Sequence, residues 1–405
     1  MNTRRTFLRQ TLAGSAAISL AGSLPGFLLG ASRRANLTNS DNVLVVIQLS
    51  GGNDGLNTVI PYGDDAYYEN RFTLAIPKSA TLKIDDYIGF HPALRGFDRL
   101  LQNGQMSIVQ GVGYPNPNRS HFESMDLWHT AHRISESEKL GWLGRCVDSV
   151  YSQADLPAIH YGEGLQPLAL RTENKPIPTI RSIQDFRLNL NRQQESRQLL
   201  ATVMKRKPGS ENTLLGYIHE SADVALRMSQ RLEDIPESLR GKYGYPGSAL
   251  GRNMSVIAQL IGSGLKTKIY YTMLDGFDTH SNQAAAHQSL LTDFSDSITA
   301  FQQEIADQGN NQRVTVFAFS EFGRRVRENA SHGTDHGSAA PVFLFGSALK
   351  QRVIGDHPSF QSLDEGDLKF KIDYRRVYAD LLKNWLSIDP ATILLSDHQA
   401  VGLFG

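Results

Sequence analysis

The sequence predicts an α/β fold: a mainly parallel central sheet with helices packed on both faces. Three observations lead there. Six short apolar runs recur along the chain, and most stop at glycine, proline or a polar turn. Segments with apolar residues at three- and four-residue spacing lie between them. The leading run, Val43 to Leu49, is almost continuously apolar, which suits a strand covered on both faces rather than one.

The runs, in order, are Val43–Leu49, Met106–Gln110, Pro157–Tyr161, Lys268–Leu274, Val314–Phe319 and Val342–Phe345. The first ends in Ser50-Gly51-Gly52-Asn53-Asp54-Gly55, and the second in Gly111 and the Pro/Asn-rich Tyr114–Asn118. The fourth ends at Asp275-Gly276, the fifth at Ser320-Glu321 and the sixth at Gly346. The clearest helical pattern is His287, Leu290, Leu291, Phe294, Ile298, Phe301 and Ile305, one apolar face. Asn212–Glu233, Ser248–Ile261 and Tyr374–Leu386 also read as helices, the last with Val377, Leu381, Leu382 and Trp385 inward. Strands alternating with helices imply parallel βαβ units. Pro208–Glu211 is the most loop-like interior break, and no repeat or clear domain boundary interrupts the rest, so residues 36–405 read as one domain.

Residues 1–35 carry a different signal. Thr3-Arg4-Arg5-Thr6-Phe7-Leu8-Arg9 precedes an uncharged stretch, Thr11 to Leu29, diluted by Gly, Ala and Ser. Paired arginines before such a stretch match a twin-arginine export signal, with cleavage expected near Ala31 or Ala35. A permanent anchor wants about 20 strongly apolar residues, so no membrane span is expected after cleavage. The expected location is periplasmic or secreted.

Of the 405 residues, 41 are Lys or Arg and 41 are Asp or Glu, so the formal net charge is zero. That balance predicts no nucleic-acid surface and no polybasic membrane patch. The single cysteine, Cys146, excludes an intramolecular disulfide and a Cys-rich zinc site. A metal site would draw on carboxylates and the 12 histidines.

Sites in open α/β sheets form at the carboxyl ends of strands. That rule picks out four polar clusters. Asn53-Asp54 also reads as a plain Asn/Asp-Gly turn. In Asn118-Arg119-Ser120-His121-Phe122-Glu123, Ser120 and Glu123 fit a helix capping box. Asp275-Gly276-Phe277-Asp278-Thr279-His280 gathers carboxylates and a histidine suited to a hard or borderline metal, though Ser281 or Asn282 could simply start a helix. Ser320-Glu321-Phe322-Gly323-Arg324 joins Gly333-Thr334-Asp335-His336-Gly337, whose Asp-His pair between glycines is the least turn-like of all. The remaining histidines are weaker: His91, His357 and His398 fall in loops, His129 and His132 in a helical stretch, and His287 on an apolar helix face.

Taken together, Leu49–Asn57, Arg119–Phe122, Gly276–Asn282, Ser320–Arg324 and Thr334–Gly337 resemble the bacterial family catalogued as domain of unknown function 1501. That family is similar to a distant branch of the alkaline phosphatase and sulfatase superfamily. The resemblance implies an alkaline-phosphatase-like domain that hydrolyses phosphate or sulfate esters, on anionic small molecules or polymers, with divalent metal ions (Zn, Mg, Mn or Ca). It implies one metal held by Asp54, Asp335 and His336 with Ser120 as nucleophile beside it, and a second held by Asp278 and His280. Glu321 would bind a metal or its water, and Arg119 or Arg324 would clamp anionic oxygens. An exported partner protein is also implied. Two departures stand out: Asp278 and His280 are two apart where the superfamily has four, and no clear third histidine follows His336. Cys146 sits in Gly144-Arg145-Cys146-Val147-Asp148, which lacks the setting of a formylglycine sulfatase. A non-catalytic binding or assembly protein on the same fold is the main alternative. A serine esterase using Gly51–Asp54 and His398 is the lesser one, because its Gly-Asp-Ser nucleophile would have to precede that block.

Overall fold

The computed structural model describes residues 41–132, 140–152, 156–181 and 242–404. The expected export signal, the helix read at Asn212–Glu233 and the break at Pro208–Glu211 lie outside these residues.

Nine strands form the main sheet: β1 (Val43–Ser50), β2 (Met106–Gly113), β3 (Ala158–Tyr161), β4 (Thr179–Ile180), β5 (Ile269–Asp275), β6 (Val314–Phe319), β7 (Ala340–Phe345), β8 (Val353–Ile354) and β9 (Ile372–Asp373). Their order is β8-β2-β7-β6-β1-β5-β3-β4, with β9 also paired to β2. β1 sits between β5 and β6, parallel to both, and is buried from Val43 to Leu49. Its side chains alternate between two cores, as a period of two requires. Val43, Val45, Ile47 and Leu49 face one, with α1 (Arg95–Gln102), α4 (Ala249–Gly262) and α5 (Gln283–Asp307) packed over them through Phe97, Leu101, Met254, Ile257, Leu291, Phe294 and Ile298. Leu44 and Val46 face the other, covered by α2 (His121–Thr130), α3 (Trp142–Ser149) and α6 (Tyr374–Asp380) through Trp128, Trp142, Val377 and Tyr378. The fold class is therefore the expected one, a mostly parallel sheet with helices on both faces.

One strand departs from the parallel pattern. β7 runs antiparallel to both β6 and β2. Residues 320–339 form no helix, so no crossover carries the chain back before it re-enters the sheet. This reversal matters for the site. The Thr334–Gly337 motif precedes β7, and an antiparallel strand begins at the edge where its parallel neighbours end. The helix read at Tyr374–Leu386 is α-helical only to Asp380 and continues as a wider turn over Leu381–Trp385. Among the described residues no helix is long and apolar enough to cross a membrane.

Candidate metal centre

Four loops meet at the carboxyl edge of the sheet, after β1, β2, β5 and β6. Their approach is too close for ordinary side chains at two glycines. A Cβ on Gly51 (φ +112°) would lie 2.4 Å from the Asp278 amide nitrogen, and one on Gly333 would lie 2.2 Å from the His280 carbonyl carbon.

Three imidazoles and a carboxylate converge there. Asp278 Oδ1 lies 3.0 Å from His280 Nε2, 3.0 Å from His336 Nε2 and 3.4 Å from His121 Nε2. His280 Nε2 and His336 Nε2 are 2.9 Å apart. Each ring is held from behind through Nδ1. His336 Nδ1 donates to the Arg119 carbonyl at 2.7 Å, His280 Nδ1 lies 3.2 Å from Asp335 Oδ1, and His121 Nδ1 lies 2.8 Å from Glu321 Oε1. In the tautomer protonated on Nδ1, each imidazole would present its Nε2 lone pair to an ion bound beside Asp278. His121 Nε2 is buried and makes no hydrogen bond.

Such an arrangement fits a metal. Two lone pairs facing each other at 2.9 Å repel unless a proton or a cation lies with them. Ligands tetrahedrally placed about 2 Å from an ion are about 3.3 Å apart, close to the 3.0–3.4 Å that separate Asp278 Oδ1 from the three Nε2 atoms. Three nitrogens and one carboxylate suit a borderline dication such as Zn, while Mg and Ca prefer all-oxygen surroundings. Among the described residues, His121, Asp278 and His336 form a group with ligand atoms within 4.8 Å of one another.

Charge is arranged to keep the acids ionised. Burial opposes the charge on Asp278, but hydrogen bonds from Arg324 and His336 and the Arg324 charge outweigh it and lower the pKa. Asp335 is lowered chiefly by the Asn329 amide, which donates to it at 3.1 Å. His121 is raised, first by its bond to Glu321.

The remaining expected site residues are placed differently. Asp54 is not with the cluster. It is fully buried and paired with Arg71, Nη1–Oδ2 2.5 Å and Nη2–Oδ1 3.0 Å, and it also accepts from Gln283 at 2.5 Å. Burial pushes its pKa up, yet Arg71 prevails and holds it at about 2. A carboxylate already neutralised by a guanidinium has little reason to bind a metal, so the expected Asp54–Asp335–His336 ligand set is not assembled. Gln283 links Asp54 to Thr334 (2.6 Å), beneath the cluster rather than in it. Arg324 is buried and committed. It donates to the carbonyls of Gly51, Gly52, Phe277 and Thr334 and to Asp278, so it ties the loops together instead of clamping a substrate anion. Glu321 is buried behind His121 and accepts from the Gly51 amide at 2.9 Å. Arg119 is exposed and pairs with Asp367 at 2.6 Å. Ser120 starts α2, but its hydroxyl makes no cap bond; Asn118 Oδ1 instead accepts from the Ser120 amide at 2.7 Å, and Glu123 is bonded to the Asn118 amide. The capping box read in the sequence is therefore absent.

Two residues here were not singled out from the sequence. His121 lay inside a recognised motif but read as the first turn of a helix. Arg71 carries no local signal, being a lone arginine 17 residues beyond its partner. His287, read as a packed helix-face histidine, is buried with Nε2 3.0 Å from Asn53 Oδ1, and burial lowers its pKa to about 4.

No curated protein matches the chain in sequence. Solved structures similar to it include a protein of the alkaline phosphatase superfamily from Vibrio parahaemolyticus (10% identity, 78% of this chain and 63% of that one, TM-score 0.36). Others are the PsFucS1 sulfatase from Pseudoalteromonas sp. (11%, 93% and 77%, TM-score 0.39) and the alkaline phosphatase of the Antarctic bacterium TAB5 (11%, 76% and 92%, TM-score 0.33). The chain thus spans less than two thirds of the Vibrio protein. The family model describing a protein of unknown function, DUF1501, matches residues 41–386, and the chain belongs to that family.

Proposed function

We propose that this protein is an exported, metal-dependent hydrolase of phosphate or sulfate esters. The observation that carries the reading is the convergence of the Nε2 atoms of His121, His280 and His336 on the Asp278 carboxylate. A borderline dication bound there would polarise an ester oxygen or lower the pKa of a water molecule. Asp278 and the three imidazoles would hold the ion, and Asp335 and the Arg119 carbonyl would keep two of the rings aimed. Arg324 would keep Asp278 in place and ionised. Ser120 precedes His121 in the chain and has no cap bond to give up, so its hydroxyl is the nucleophile assigned in this reading.

The reading invokes one metal. Asp54, which the resemblance implied as a metal ligand, is paired with Arg71 instead. Protein purified without chelator should contain close to one equivalent of a transition metal by elemental analysis, and should turn over an aryl phosphate or aryl sulfate in proportion to that content. Metal-free protein with undiminished turnover would exclude the mechanism. Metal-loaded protein inactive on both ester classes would favour a binding protein built on the same centre.

A further inference from the structure

Resting on that metal reading, we infer that Glu321 is a positioning residue, the buried carboxylate that fixes the His121 imidazole with its Nε2 toward the ion. From sequence, Glu321 was a candidate ligand; the geometry points to a different task. Its carboxylate is buried, and Oε1 accepts both the Gly51 amide (2.9 Å) and His121 Nδ1 (2.8 Å). Oε2 lies 3.0 Å from Ser320 Oγ, which itself accepts the Asn53 amide at 2.9 Å. The backbone is pinned as well: the Glu321 carbonyl accepts from Ser124 Oγ (2.6 Å) and Trp128 Nε1 (2.9 Å), both on the helix that carries His121.

Each of these contacts fixes something a ligand histidine needs. A proton placed on Nδ1 forces the lone pair onto Nε2, and a negative partner behind the ring makes that lone pair a stronger donor. The bonds to Ser124 and Trp128 set the height of α2 against the loop after β6, so ring and carboxylate cannot slide apart. The ring is further confined by Phe322, 4.9 Å away between centroids, and by His336 at 4.2 Å. His280 has a comparable carboxylate in Asp335, but that one is about half exposed and its contact is longer, at 3.2 Å. The two outer carboxylates should therefore differ in effect, with the buried one dominant.

The test is a Zn2+ titration of metal-stripped full-length protein, read by calorimetry, with the Co2+ absorption spectrum as a second readout. Glu321→Gln should weaken Zn2+ binding by about 10- to 100-fold, the range seen for carboxylates behind ligand histidines. Asp335→Asn should weaken it less. In a His121→Ala background, Glu321→Gln should add nothing, because the residue acts through the ring that is already gone. Additive losses, or wild-type affinity in Glu321→Gln, would overturn the inference. Glu321→Asp provides the same comparison through a shortened acid should the Gln variant fold poorly: a Co2+ spectrum identical to wild type would also overturn it. Wild-type protein that binds neither ion refutes the metal reading itself, an outcome separate from failure of the Glu321 assignment alone.

Discussion

Replacing Arg71 with Met would strip the countercharge from a carboxylate that has no contact with water. Both side chains of the Arg71–Asp54 pair are 0% exposed. Removing one partner of such a pair typically costs ~3–5 kcal/mol, because the other charge stays buried without compensation. Arg71 also donates to the Val326 carbonyl (2.7 Å) and the Arg325 carbonyl (2.9 Å), which would lose a donor each. The expected loss is about 4 kcal/mol, or roughly 5 °C in Tm for a chain of this length. Adding Asp54→Asn to Arg71→Met removes the stranded charge and should restore about half of the loss, so the coupling in the double-mutant cycle is about 2 kcal/mol plus whatever Asp54→Asn costs alone. Urea denaturation followed by circular dichroism measures all four proteins, and elemental analysis of the same samples reports metal content. An Arg71→Met variant destabilised by less than about 1 kcal/mol would refute the structural role. An Asp54→Asn variant that loses its metal at unchanged stability would return Asp54 to the ligand set.

Acid should weaken the same pair. The Asp54 pKa is lowered from its ordinary value to about 2, so its contribution is complete above the ordinary value and is lost as pH falls through about 2. The lost amount is about 2 kcal/mol, and urea midpoints measured from pH 5 downward should show wild type falling more steeply than Asp54→Asn. Because the Ser120 hydroxyl caps nothing, Ser120→Ala should change stability by less than about 0.5 kcal/mol and leave metal content intact while abolishing ester turnover; a fully active variant would end the nucleophile assignment. Chelator should lower the Tm of wild type by several degrees and that of His336→Ala hardly at all, since a bound ion stabilises only the protein that can hold it; equal shifts would mean that no metal sits at His336.

Much of the carboxyl edge was legible in the sequence because strand ends announce themselves. Apolar runs stopping at Ser50, Asp275 and Ser320 located three of the loops, and the rule that sites form at the carboxyl ends of strands picked out the clusters holding Asp278, His280 and His336. Two kinds of information were hidden. The direction of β7 depends on whether residues 320–339 form a crossover helix, and a polar segment with glycines does not declare that locally. The partners of Asp54 and Arg324 depend on contacts over long separations: Arg71 reaches back to Asp54, and Arg324 reaches 272 residues back to the Gly52 carbonyl. A charged residue in a loop looks the same in sequence whether it meets water, a metal or a buried opposite charge. His121 was obscured by a competing local explanation, since Ser120 and Glu123 matched a capping pattern that the folded chain does not use.

The Arg324 node sets the order in which the centre can be assembled. Its guanidinium needs carbonyls from the loops at Gly51–Gly52, Phe277 and Thr334, which are brought side by side only when β1, β5, β6 and β7 already lie in register. No short fragment of the chain contains the node in miniature, because its members are spread from Gly51 to Thr334. Asp278 receives its guanidinium partner only at that stage, after the loop-closure entropy of the longest connections has been met. An ion that requires Asp278 together with His121 and His336 therefore meets a finished vessel rather than a nucleus around which the chain collapses.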